Sequence, residues 1–323
     1  MALFDFLKKR GDEDQVQEIF HKIHKEHQAK ELVDKAISYR NLGKFDDAIA
    51  ILRESLRVYP YYSPAKSVLG NTFWAKGDIA SAEKEYLRII ADDANKEDFG
   101  LLIETYANLG LIHYSVKKDK QKALKYYNLG LVTPKPKNVS DEGYRIMLAD
   151  IYRDLIVLYS KEENWDLLKK YALLRLECTN NCPVASVVYG FCLINEYVTT
   201  VYDRSRSPLE SEDKSGLLTN AAKYFTNVLS ENPKNYPALS GLAVAMLHLR
   251  ILFSMYSQFS DKAHKKFGLT KEMIASALQS TNDVESRALG ALKKSSQGSV
   301  DAKVCFDSYQ SQAMQIKSFL GLK

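Results

Sequence analysis

A self-similarity with a period of 34 residues constrains this chain more than any other feature. When residues 32–60 are laid over residues 66–94, Ala36 falls on Gly70, Tyr39 on Phe73 and Gly43 on Gly77. Phe45 then falls on Ile79, Ala48 on Ala82 and Leu52 on Tyr86. Each residue type has a physical reason to recur. Small residues at 36/70 and 48/82 let two helices approach closely, and the large ones at 39/73 and 52/86 fill the space between neighbouring pairs. Gly43 and Gly77 stand just past the first helix of each pair, where the chain needs a positive φ to turn back. Pro60 stops the second helix. Such a unit cannot bury its apolar face alone, so copies must stack on one another.

A 34-residue period with this small–aromatic–Gly–Ala–large order resembles the tetratricopeptide repeat (TPR). The resemblance implies an all-α fold, an α-solenoid of antiparallel helix hairpins (a TPR-like superhelix) with helical caps at both ends. It is specific in units 29–62 and 63–96 and looser afterwards. Leu109, Gly110, Ala123, Tyr127 and Gly130 mark a third unit with a shifted start, whose lysine-rich turn at 117–122 lacks the glycine. A fourth runs from about Asp150 through Tyr159, Trp165 and Leu176 to Pro183. A fifth holds Tyr189, Gly190, Ala221, Phe225 and Pro233, interrupted by a polar stretch at 203–215 that reads as an exposed insertion. A sixth begins at Pro237 and its second helix is hard to place. The reading divides the chain into a tail and leading helix (1–28), a repeat array (29–257) and a C-terminal helical cap (258–323).

Composition agrees with helices joined by short connections: among 323 residues only 15 are Gly and 8 Pro. The net charge of +5 comes from Lys and Arg intermixed with 40 acidic residues, so no region is strongly basic. Cys178, Cys182, Cys192 and Cys305 form neither a dense disulfide framework nor a paired zinc spacing, and read as free thiols in a reducing compartment. The first ten residues have a short apolar stretch broken by Asp5, with positive charge after it, unlike a secretory leader. They form a short helix that docks or frays, or touch a membrane interface through Leu3, Phe4, Phe6 and Leu7. Nothing later approaches ~18 uninterrupted apolar residues, so no spanning helix is expected. The chain reads as cytoplasmic.

No chemistry-bearing constellation emerges. His21, His24 and His27 lie three apart on one helix, but i+6 drifts round the cylinder and spoils a tridentate metal site. Phosphate loops and the nucleophile or zinc-protease motifs are absent from the sequence. The acidic pairs Asp46–Asp47 and Asp92–Asp93 fall at turns and helix starts. The expectation is a non-enzymatic chain with no metal and no cofactor.

Binding is the remaining reading. In TPR proteins the first helix of each unit lines the concave groove. Carried onto this sequence, that implies a peptide or helix of a partner held by Val33, Ile37 and Arg40, then Ser67, Asn71 and Trp74. Asn108, Leu111 and Tyr114 follow, with Arg153 and Phe191 further along. The clamp that grips a chaperone's terminal carboxylate is not matched: Val33 and Ile37 stand where Lys and Asn belong, and in the shifted register Asp150 and Asp154 replace the basic pair. RNA or another polyanion on the lysine-rich turns (117–125 and 134–137) is the alternative, interrupted by Glu104, Asp150, Glu162 and Glu163. Phe306, Met314, Ile316 and Phe319 on the last helix leave room for a homodimer.

Overall fold

The computed structural model describes residues 13–92, 98–179, 182–201, 215–258 and 269–319, with side chains for all of these except 13–16, 201 and 316–319. Thirteen α-helices follow one another among the described residues: α1 (Glu13–Asn41), α2 (Phe45–Val58), α3 (Ser63–Lys76), α4 (Ile79–Ala91), α5 (Phe99–Leu111), α6 (Lys120–Val132) and α7 (Asp141–Ser160). The remainder are α8 (Trp165–Cys178), α9 (Pro183–Val201), α10 (Ser215–Glu231), α11 (Tyr236–Gln258), α12 (Lys271–Ser296) and α13 (Val300–Phe319). The chain forms two compact units, 1–154 and 155–323, and the division falls inside α7. The first ten residues, with the expected short helix, and nearly all of the expected insertion at 203–215 lie outside the described residues.

In the first unit α1 pairs with α2, α3 with α4 and α5 with α6, and successive pairs stack. The leading segment and the first repeat helix are one continuous 29-residue helix. Its Ile19, Phe20 and Ile23 are about half exposed, at 47, 53 and 56%. Ala29 is fully buried, and its carbonyl accepts from the Ser55 hydroxyl of α2 (2.9 Å). The core combines Val33, Ala36, Leu52, Leu69, Phe73, Tyr86 and Leu109.

The hairpin turns share one hydrogen-bond pattern reached by different residues. Gly43 and Gly77 take positive φ (74° and 85°). The next amides, Lys44 N and Asp78 N, donate back to the Tyr39 and Phe73 carbonyls, which closes the helix end. In the third unit, where glycine is missing, α5 widens into a π turn (Ile112–Val116). Lys118 takes φ 59° and Asp119 N donates to the His113 carbonyl (2.8 Å). In the fourth, Glu163 (φ 53°) does the same with Asn164 N on the Tyr159 carbonyl. Asp78, Asp98, Asp119 and Asn164 then each accept from a backbone amide three residues on, capping α4, α5, α6 and α8.

Glycines also set the spacing within hairpins. A Cβ added at Gly70 would lie 2.4 Å from the Tyr86 ring, and one at Gly110 2.4 Å from the Tyr127 ring. In the second unit the Phe225 ring occupies the corresponding space beside both Gly190 and Gly241 (2.6 and 2.4 Å).

The second unit is built round α11, which packs on α10, α12 and α13. The helix that the sequence left unplaced as partner of α11 is α12. By length and mean hydropathy (1.7) α11 is able to cross a membrane, contrary to the expectation from the sequence, yet 72% of its apolar window is buried inside the protein. Glu285 of α12, only 5% exposed, receives both Nε (2.8 Å) and Nη2 (3.2 Å) of Arg250 from α11 and the Tyr309 hydroxyl (2.5 Å) from α13. Burial, then the bond to the Glu285 carboxylate, pushes the Tyr309 hydroxyl well above its usual range, so it stays a donor. Phe306 packs against this core and Met314 is 65% exposed. Ile316 and Phe319 lie beyond the described side chains. All four cysteines are free thiols.

Three outcomes follow from these contacts. Lys118→Gly removes the left-handed strain of a residue with a Cβ and should raise thermal stability by about 1 kcal/mol, whereas Lys118→Val should lower it. Glu285→Ala leaves Arg250 without its carboxylate and should cost about 3 kcal/mol in urea unfolding. Burial holds His248 neutral, with its pKa depressed to about 4. The unfolded imidazole titrates near its ordinary value, so this contribution is complete above about pH 6.5 and is lost as pH falls towards 4, on the order of 3 kcal/mol. His248→Leu should flatten that part of the stability–pH curve.

Candidate functional site

The first helices of the hairpins in the first unit present one polar–apolar stripe to a common side. On α3 it holds Ser67 and Asn71, one turn apart; on α5 it holds Glu104, Asn108 and Leu111 at i, i+4 and i+7. Two adjoining hollows lie along it. One, about 470 Å³, is lined by Arg40 of α1, by Ser63, Pro64, Ser67, Val68 and Asn71 of α3, and by Asp98, Leu101 and Glu104 at the start of α5. The other, about 340 Å³, lies between α5 (Gly100, Ile103, Glu104, Ala107, Asn108, Leu111) and α7 (Ile146, Met147, Asp150, Arg153, Asp154). Glu104 belongs to both.

A hydrogen-bond network fixes the polar side chains where the hollows meet. Asn71 donates through Nδ2 to Glu104 Oε1 (2.8 Å), and the Ser67 hydroxyl donates to the same oxygen (2.7 Å). Asn71 Oδ1 accepts from the Tyr86 hydroxyl (2.6 Å) and from Asn108 Nδ2 (3.2 Å), which determines the way the amide faces. Burial, reinforced by the Glu104 charge, pushes the Tyr86 hydroxyl far above its ordinary range, so it remains a donor. At the far end Arg153 bridges Asp150 (2.8 Å) and Asp154 (3.0 Å), while Tyr127 donates to Asp154 (3.3 Å). Burial raises the Asp154 pKa above the usual carboxylate value despite the neighbouring Arg153. The walls carry four acids (Asp98, Glu104, Asp150, Asp154) against two arginines (Arg40, Arg153), a formal balance of 2 − 4 = −2 on a chain of net charge +5.

The structure brings together some of the residues proposed from sequence and separates others. Arg40 and Asn71 line the first hollow with Ser67, and Asn108, Leu111 and Arg153 line the second. Val33 does not face the groove: it is 4% exposed and belongs to the hairpin core, because the second turn of the repeat points it at the neighbouring pair. Ile37 and Trp74 pack against that same core with part of their surface exposed. Tyr114 sits in the π turn that ends α5 and lines neither hollow. Phe191 belongs to the second unit, where its ring meets Phe225 edge-on (centroids 5.2 Å apart). The sequence gives no signal for Ile146 and Met147; it shows Glu104 only as an interruption of a basic surface, and Asp150 also as an acid that stands, with Asp154, where a carboxylate clamp needs bases. A register step of 37 residues, Ser67 to Glu104 and Asn71 to Asn108, would have found Glu104, where a strict step of 34 does not. Among the described residues no group of His, Cys, Asp and Glu side chains is arranged to hold a metal ion.

Comparison with known proteins bears on the repeat and the fold. Residues 33–97 match the tetratricopeptide repeat family profile. Human superkiller complex protein 3 is 31% identical over 100 residues, which are 30% of this chain and 6% of that protein, so the chain spans a small part of its relative's length. A solved structure of Pseudomonas aeruginosa pilF aligns over 90% of this chain and 99% of its own, with 14% identity and a TM-score of 0.56. A tetratricopeptide repeat protein from Parabacteroides merdae aligns over 88% of this chain and 99% of its own, with 15% identity and a TM-score of 0.41. Residues 33–97 are thus tetratricopeptide repeats by sequence, and among the described residues helix hairpins continue beyond them in a fold like that of pilF.

Proposed function

We propose that the chain is a non-enzymatic interaction scaffold of a reducing compartment, the cytoplasm, and that it holds a peptide segment of a partner protein along the two adjoining hollows of its first unit. The observation that carries this reading is the Asn71–Glu104–Asn108 network. It holds amide and carboxylate groups in fixed positions beside the apolar surface of Leu111, Ile146 and Met147. Pre-oriented polar groups next to an apolar wall suit a peptide, which brings backbone donors and acceptors together with side chains to bury. The polyanion alternative loses ground, because two lysines of those segments are engaged by acids: Lys117 with both oxygens of Glu83 (2.7 and 2.6 Å) and Lys135 with Asp141.

The test is quantitative co-purification from the native organism with the wild-type chain and with Leu111→Ser/Ile146→Asp, its fold verified by circular dichroism. A partner held in the groove should fall about tenfold or more in the variant, the equivalent of roughly 1.4 kcal/mol. A partner recovered equally with both chains places the binding surface elsewhere.

A further inference from the structure

The charge of the groove opposes the charge of the chain, and that reversal selects an occupant. The carboxylates of Glu104 and Asp150 are solvent-accessible at the junction and on the α7 wall, and Asp154 adds a third, largely buried, at its foot. Arg153 is held between Asp150 and Asp154, so it neutralises one charge of that pair and leaves the other. Among the described residues the donors to Glu104 are neutral, the Ser67 hydroxyl and the Asn71 amide, so no ion pair offsets its carboxylate. Apolar surface lies alongside: Ile146 is 52% exposed and Met147 37%, both on the wall that carries Asp150.

We propose that the segment held in this groove is cationic: a Lys or Arg side chain directed at Glu104 and Asp150, with a neighbouring aliphatic side chain laid against Ile146 and Met147. This rests on the groove reading above and adds the chemistry of the partner to it. An acidic segment would bring like charge to Glu104 and Asp150 and would find only Arg40 and the already paired Arg153 to offset the repulsion. A lysine or arginine also fits the shape of the walls, since its methylene stem covers apolar surface while its head reaches a carboxylate. The stabilised position of Glu104, fixed by two donors from α3, means that little side-chain ordering opposes the contact.

The experiment pans a random dodecapeptide library displayed on phage against the full chain, in parallel with Glu104→Gln/Asp150→Asn and with Leu111→Ser/Ile146→Asp, all three verified as folded by circular dichroism. The expected result is enrichment of sequences carrying Lys or Arg next to an aliphatic residue. A synthetic peptide of the selected sequence should bind the charge variant about tenfold more weakly in fluorescence polarisation, and its affinity for the wild type should fall as salt rises from 50 to 500 mM by about the same factor. Selection of acidic or uncharged sequences whose capture depends on Leu111 and Ile146 would overturn the charge assignment and leave the groove reading standing. Enrichment that is indifferent to both variants, or no enrichment at all, would overturn both.

Discussion

The second and third hairpins depend on one contact, the aromatic ring of a second helix pressed onto a glycine of the first. Tyr86 on Gly70 and Tyr127 on Gly110 bring paired helices closer than any side chain at the small position would permit, since even a methyl group would overlap the ring. The same buried residue supports the site from beneath. The Tyr86 hydroxyl is a donor that orients Asn71, and Asn71 in turn holds Glu104. Core packing and site geometry are therefore one arrangement. A change that loosened the Gly70–Tyr86 fit would displace the polar network before it unfolded the hairpin, because interiors packed to this density have little slack to absorb a shift.

The parts of the fold that were legible in the sequence are those where a rigid requirement picks a single residue type. Gly43 and Gly77 are such places, and so are Ala36, Gly70, Ala48 and Ala82, which is why the period of 34 stood out over the first two units. Legibility fades where the same geometric demand is met another way. Lys118 and Glu163 adopt the left-handed conformation that glycine takes more easily, and the π turn of α5 adds a residue before the corner. From Gly77 to Lys118 is 118 − 77 = 41 positions, so the search for a constant period passes over a turn that is structurally equivalent. The tetratricopeptide match covers residues 33–97, the stretch in which the period is regular, and the helix hairpins continue beyond it.

The candidate site was legible to a lesser degree, for a physical reason. A repeat register says which helix face turns inward, and it therefore located Arg40, Asn71, Asn108, Leu111 and Arg153. It says nothing of how deep a given position sits. Val33 occupies the inward-turning helix but lies against the next hairpin, and Phe191 meets an aromatic partner, Phe225, that no periodicity announces. Charge is harder to read. Glu104 stands out in the sequence only as an interruption of the alternative, basic surface, whereas the fold sets it beside Asp150 at the junction of the hollows and ties Lys117 to Glu83.

The burial of α11 has a consequence for how the chain comes into being. Its companions on one side, α9 and α10, precede it, but α12 and α13, which cover much of the rest, are encoded after it. During synthesis a 23-residue helix with the hydropathy of a membrane span emerges before the segments that will enclose it have been made. For that interval the nascent chain offers an apolar cylinder to whatever is nearby, whether targeting factors, holding chaperones or other nascent chains. The Arg250–Glu285–Tyr309 cluster closes the interval, because it can form only when all three helices are present.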